Sequence, residues 1–143
     1  MNSDPPQIDV EVQVMFFDTD CGGVVHNIAY LRFIEMARTL LAERLGLKLV
    51  EMAETQQYPV VVRTEIDYRR PAKLGDRLRI HGWLERLKRV RFWCGFEIRR
   101  IADDTLIAQC RQTLALIEMP GAKLLPLPES WERYRATEPV AKN

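Results

Sequence analysis

The sequence contains no apolar run approaching the ~20 residues that a membrane-spanning helix needs. It also has no excess of either charge. Lysine and arginine number 21 against 20 aspartates and glutamates, a net charge of +1, so no general attraction to nucleic acid or to a membrane surface is expected. Histidine is scarce: His26 and His81 are the whole supply, which argues against a histidine-built metal site. The three cysteines, Cys21, Cys94 and Cys110, are odd in number and widely spaced. They fit neither a disulfide framework nor a zinc site, and they suggest a reduced, cytoplasmic protein. The opening stretch MNSDPPQIDVEV lacks the basic and apolar regions of a signal peptide. With no repeat, low-complexity segment or linker, residues 1–143 read as a single domain. Its expected core runs from about 8 to 119, followed by a short helix and tail over 120–143.

What the chain does have is clear periodicity. Met1 to Gln7 is polar and carries Pro5-Pro6, which suggests a loose arm. Ile8, Val10, Val12, Val14 and Phe16 then alternate with mostly polar residues, predicting a half-buried strand. Tyr30, Phe33, Ile34, Ala37, Leu40, Leu41 and Leu45 recur at helical spacing, so a helix is expected from Asn27 or Ile28 to Leu45. Asn27 is a good capping residue and Gly46 a natural stop. Lys48 to Gln57 holds a possible short helix. Four strands follow, with inward faces at Val60 to Tyr68, Leu78 to Leu84, Val90 to Ile98 and within Leu106 to Glu118. Short connections favour antiparallel pairing. A link at Pro120-Gly121 leads to a short helix near Pro128 to Tyr134, and the tail after Ala136 is expected to fray. One long helix against an antiparallel sheet is α+β architecture.

Between the first strand and the long helix lies FDTDCGGVVHN, from Phe17 to Asn27. Asp18 and Asp20 stand two apart, just before the Gly22-Gly23 turn. A carboxylate on such a turn faces the free N–H groups and partial positive charge of a helix start, and it can serve as nucleophile or base. The residues alone leave Asp20 as either a reaction centre or a turn aspartate binding its own backbone. Asp18 reads as structural, Cys21 as a small turn residue, and Glu35 with Arg38 as a helix-surface ion pair. Lys88, Arg89 and Arg91 cluster at an expected hairpin. Trp83 and Trp93 read as packing residues.

The run Asp18-Thr19-Asp20-Cys21-Gly22-Gly23-Val24-Val25, with Tyr30, Glu35 and Ala37-Arg38, resembles the D-x-D-x-x-G-V-V…Y…E-x-A-R signature of hotdog-fold acyl-CoA thioesterases. A second segment, from Tyr68 through Pro71-Ala72 to Gly75-Asp76, is similar to that family's Y-x-x-P-A-x-x-G-D. The branch it resembles is the 4-hydroxybenzoyl-CoA thioesterase family, including thioesterases encoded with the Tol-Pal system.

The resemblance implies five antiparallel strands wrapped around one long helix, in dimers or tetramers with sites between subunits. It implies hydrolysis of acyl-CoA to free acid and coenzyme A, with no metal or separate cofactor. Asp20 falls on the family's catalytic carboxylate, with main-chain donors near Asn27 holding the carbonyl oxygen. Gly23, Val24, Val25 and Tyr30 are carried over as substrate contacts. Lys88, Arg89 and Arg91 are carried over as partners of the coenzyme A phosphates, with Arg63, Arg69 and Arg70 as weaker candidates. Two positions depart from the Tol-Pal branch, where a His commonly stands at Asn27 and a Tyr at Phe16. Here the histidine comes one residue earlier, and His26 is an auxiliary base only if its ring turns towards Asp20. An acyl-carrier-protein thioesterase and a non-catalytic acyl-CoA-binding protein are the alternatives.

Overall fold

The computed structural model describes residues 4–137. The first three residues of the expected arm, and the tail beyond 137, lie outside the described residues. Five long strands make an antiparallel sheet: β1 (Gln7–Gln13), β2 (Gln57–Tyr68), β3 (Arg77–Leu87), β4 (Arg91–Arg100) and β5 (Leu106–Glu118). Their order is β1-β3-β4-β5-β2. β3, β4 and β5 follow one another as hairpins. β2 does not pair with its successor; it crosses to the far side of β5 and forms an edge.

Helix α1 (Asn27–Arg44) supplies the other half of the core. Ala29, Tyr30, Phe33, Ile34, Ala37 and Leu41 are buried and cluster with Leu78, Ile80, Leu84, Phe92, Phe96, Ile98 and Leu114 from the sheet. The period-2 pattern of β3 and β4 and the 3.6 pattern of α1 thus meet on one apolar layer. Leu40, expected on the buried stripe, is 40% exposed at its margin. The short helix α2 (Leu49–Thr55) forms where a helix was a possibility.

Cross-strand pairs put a glycine opposite an aromatic ring on both faces of the sheet. Gly82 pairs with Phe96, and Trp83 with Gly95. A Cβ on Gly95 would lie 2.3 Å from the Trp83 ring, and one on Gly82 would lie 2.9 Å from Phe96. Each ring therefore fills the space its partner lacks. His81 stacks on Trp83, ring centroids 5.4 Å apart.

Three departures from expectation have physical causes. β1 ends at Gln13, and the residues Phe16–Asp18 form a 3₁₀ turn that leaves Phe16 83% exposed instead of facing the core. The turn is closed by Asp18, whose Oδ2 accepts the Met15 N–H at 2.9 Å. A sixth strand, β6 (Lys123–Leu125), pairs with β5 beyond the point where β4 begins. Finally, the C-terminal turn is a 3₁₀ helix, Glu129–Thr137, anchored by buried Trp131. The Trp131 Nε1–H donates to the Leu45 carbonyl at 2.8 Å.

Burial pushes the Cys94 and Cys110 thiols up to about 12, which keeps them neutral and unreactive. Among the described residues no helix is long and apolar enough to cross a membrane.

Candidate functional site

The site is built from two sequence segments that the fold stitches together. In the first, the 2%-exposed Asp18 carboxylate pairs with Arg32 of α1, and its main-chain oxygen accepts the His26 N–H at 3.0 Å. Asp18 is thus structural, as its position suggested. Asp20 opens a tight loop. Its N–H donates to Val24 O at 2.9 Å, its carbonyl accepts the Gly23 N–H at 3.0 Å, and Gly23 takes a φ of +74° that suits glycine.

The second segment, residues 69–76, packs against that loop. Leu74 N–H donates to Gly23 O at 3.0 Å, and Val25 N–H to Ala72 O at 2.9 Å. Val24 and Lys73 form an antiparallel bridge. Tyr30, buried on α1, accepts the Ala72 N–H on its hydroxyl at 2.9 Å. Burial raises the pKa of that phenol, so it stays protonated.

Between the segments lies a pocket of about 420 Å³. Val24, Val25, Tyr30, Tyr68 and Pro71 give it an apolar and aromatic wall; Asp20 and Asn27 come from the helix side, Arg69 and Arg70 from the end of β2. Asp20 stands on its wall with one oxygen tied down: Oδ1 accepts the Gly22 N–H at 2.9 Å. The other oxygen has no hydrogen-bond partner among the described residues. The turn role and an exposed reactive oxygen are therefore compatible. Asn27 begins α1, and among the described residues the N–H groups of Asn27 and Ile28 have no protein partner. These are the outward donors of the helix start, on the positive end of its dipole.

His26 does not serve Asp20. It, and not Asn27, caps α1: its Nδ1 accepts the Ala29 N–H at 3.1 Å. Its Nε2 lies 3.2 Å from the Phe17 carbonyl, so Nε2 carries the proton and donates it. With both nitrogens engaged, the auxiliary-base expectation gives way to a cap that ties the helix start to the 3₁₀ turn. Replacing His26 by Ala is expected to cost about 1 kcal/mol of stability. His26→Asn, which keeps a capping acceptor, should recover most of it; equal losses in urea titrations of the two variants would contradict the cap.

Of the residues expected at the site, the pocket gathers Asp20, Val24, Val25, Asn27 and Tyr30. Gly23 acts through its turn and its carbonyl. Lys88, Arg89 and Arg91 are not brought to this pocket within one protomer. Arg91 pairs across β5 with the level of Val60, whereas the pocket sits at Tyr68; eight residues of strand separate the two levels, roughly 25 Å. The Lys88 carbonyl is held by Arg135 at 3.0 Å, and the Arg89 carbonyl accepts Leu127 N–H at 3.2 Å. Tyr68 and Pro71 are pocket residues the sequence did not single out, although both belong to the second motif. Glu35 and Arg38 pair at 3.7 Å, and Arg38 also donates to Gln112 at 2.8 Å, inside the sheet and away from the pocket lining.

Comparison with known proteins decides the family. The model of the thioesterase-like superfamily matches residues 14–134. The chain belongs to that superfamily. It is 32% identical over 124 residues to a 1,4-dihydroxy-2-naphthoyl-CoA hydrolase of Synechocystis, covering 85% of this chain and 89% of that one. It is also 32% identical over 119 residues to the acyl-CoA thioesterase YbgC of Haemophilus influenzae, covering 82% and 86%. Among solved structures, the 1,4-dihydroxy-2-naphthoyl-CoA thioesterase from Synechocystis superposes with a TM-score of 0.80 at 27% identity, over 92% of this chain and 97% of that one. The thioesterase-like chain shares the hotdog fold with these proteins, as its two motifs implied.

Proposed function

We propose that this chain is a thioester hydrolase that cleaves acyl-CoA to free acid and coenzyme A. The observation that carries the reading is the placement of Asp20: a carboxylate with one unengaged oxygen, on the wall of an apolar pocket that also holds the start of α1. Relatives whose names are CoA-thioester hydrolases support it. Bound against Asp20, a thioester carbonyl develops negative charge on oxygen as its carbon is attacked. The N–H groups of Asn27 and Ile28 and the dipole of α1 stabilise that charge.

Asp20 acts in one of two ways that this geometry serves equally. As a nucleophile it forms an anhydride that water then opens; as a base it takes a proton from the attacking water. In both, the carbon–sulfur bond breaks and coenzyme A leaves as the thiolate. The one water consumed supplies the proton that the thiolate takes up. Its oxygen goes to the acid or, when the anhydride is opened at its other carbonyl, to Asp20 in exchange for one of its own. No step in this scheme calls on a metal or separate cofactor. The test is thiol release from aromatic, short-chain and long-chain acyl-CoAs. Silence on all three classes would sink the reading.

The working unit is a homo-oligomer, a dimer or a tetramer, in a reducing, cytoplasmic compartment. Phe17 at 71% and Ile28 at 70% exposure join Phe16 on the segments flanking the pocket, and large apolar groups so placed mark a contact surface. Among the described residues β2 has a free edge, a ready template for pairing with a second copy. Three unpaired thiols suit a reducing compartment. In such an assembly the Lys88–Arg91 turn meets the coenzyme A phosphates of a neighbouring subunit's site. Lys88→Ala with Arg89→Ala is then expected to raise KM several-fold for acyl-CoA and not for a short thioester without the nucleotide. Equal effects on both substrates would refute the phosphate contact.

A further inference from the structure

Two cations line the pocket beside Asp20, and they are differently committed. Arg69 is tied back to the sheet: its Nη2 donates to Gln109 Oε1 at 3.1 Å and lies 3.9 Å from Asp67. The Arg70 guanidinium has no hydrogen bond or ion pair among the described residues, yet its backbone is pinned by an N–H bond to Ile107 O at 3.1 Å. A fixed backbone thus places a residue with an uncommitted, planar set of donors on the lining of a pocket whose remaining wall is mostly apolar.

We propose that Arg70 makes this pocket selective for acyl groups that carry an anionic oxygen substituent, a carboxylate above all. The inference rests on the thioesterase reading and adds the class of acyl group. Its physical basis is asymmetry. A carboxylate gains charge-assisted, bidentate hydrogen bonds from a guanidinium, whereas a neutral acyl chain gains nothing from it and must leave it hydrated.

Scale separates this anion from the other one a coenzyme A thioester carries. Arg70 and Asp20 line one pocket of about 420 Å³, a space of small-ligand size. A thioester held at Asp20 has its nucleotide phosphates beyond the full length of the pantetheine arm, outside such a pocket.

The test compares kcat/KM for adipoyl-CoA with that for hexanoyl-CoA, and repeats the pair as pantetheine thioesters, which lack the nucleotide. Wild type, Arg70→Gln and Arg70→Lys are measured in parallel. The carboxylate-over-neutral ratio is expected to fall about tenfold or more in Arg70→Gln, to survive in part in Arg70→Lys, and to change alike with and without the nucleotide. A ratio that Arg70→Gln leaves unaltered overturns the proposal. So does a loss common to both acyl groups that appears with coenzyme A and vanishes with pantetheine, which would assign Arg70 to the phosphates. If wild type turns over none of these substrates, the aromatic and long-chain acyl-CoAs test the hydrolase reading separately. Calorimetric affinities for the two acyl-CoAs then decide the role of Arg70 by the same ratio.

Discussion

Asp20→Asn is expected to lower kcat at least a hundredfold while the protein stays folded. Asparagine has nearly the shape of aspartate and keeps an oxygen that can accept the Gly22 N–H, so the Asp20–Val24 loop retains its hydrogen bond. What disappears is the charge, and with it both the nucleophile and the base. A positioned carboxylate contributes about 10²–10⁴-fold in such roles, and the lower figure is roughly 2.7 kcal/mol of barrier. Thiol-release kinetics give the rate, and a thermal melt shows whether the fold is retained. A folded Asp20→Asn protein with near-wild-type turnover would remove this residue from the chemistry.

The largest stability effect is expected at the other end of α1. Trp131 is 2% exposed, meets Phe92 edge-on at 5.0 Å, and satisfies the last-turn carbonyl of Leu45. Trp131→Ala removes a large buried ring and leaves a buried acceptor unpaired. It should cost about 3–5 kcal/mol, a large share of the roughly 5–15 kcal/mol that holds a typical domain together. Urea unfolding should show a lower midpoint at an unchanged slope. The 18 residues of α1 separate this contact from Asp20, about 27 Å of helix, so the protein that remains folded should keep its turnover. A loss under 1 kcal/mol would mean that the C-terminal segment adds little to the core.

The elements legible in the sequence were those with one face on the core. β3, β4 and α1 could be read because burial imposes a period on them, and β5 runs over the expected Leu106–Glu118. Elements set by a single polar contact were not legible. The alternation of β1 continues through Phe16, yet the buried Asp18 carboxylate turns the chain away three residues earlier. Asn27 is the better cap on average, but a carbonyl at Phe17 lies where the His26 ring can donate to it, and that tertiary contact selects the histidine. β6 is three residues long and mostly exposed, too short to carry a period. At the candidate site, the motif announced Asp20, Val24, Val25, Asn27 and Tyr30. Arg69 and Arg70 ranked low because nothing local says that the end of β2 returns to the start of α1, whereas Lys88, Arg89 and Arg91 ranked high on local charge and lie at the opposite end of the sheet.

The bonds from Leu74 to Gly23 and from Val25 to Ala72, with the Tyr30 hydroxyl on Ala72, have a bearing on engineering. The loop bearing Arg69 and Arg70 runs straight into these contacts, so it is not a detachable cassette. A graft that imports a relative's acyl preference has to carry residues 18–30 and 68–76 as a pair, because a foreign version of either one would be clasped by a counterpart shaped for something else.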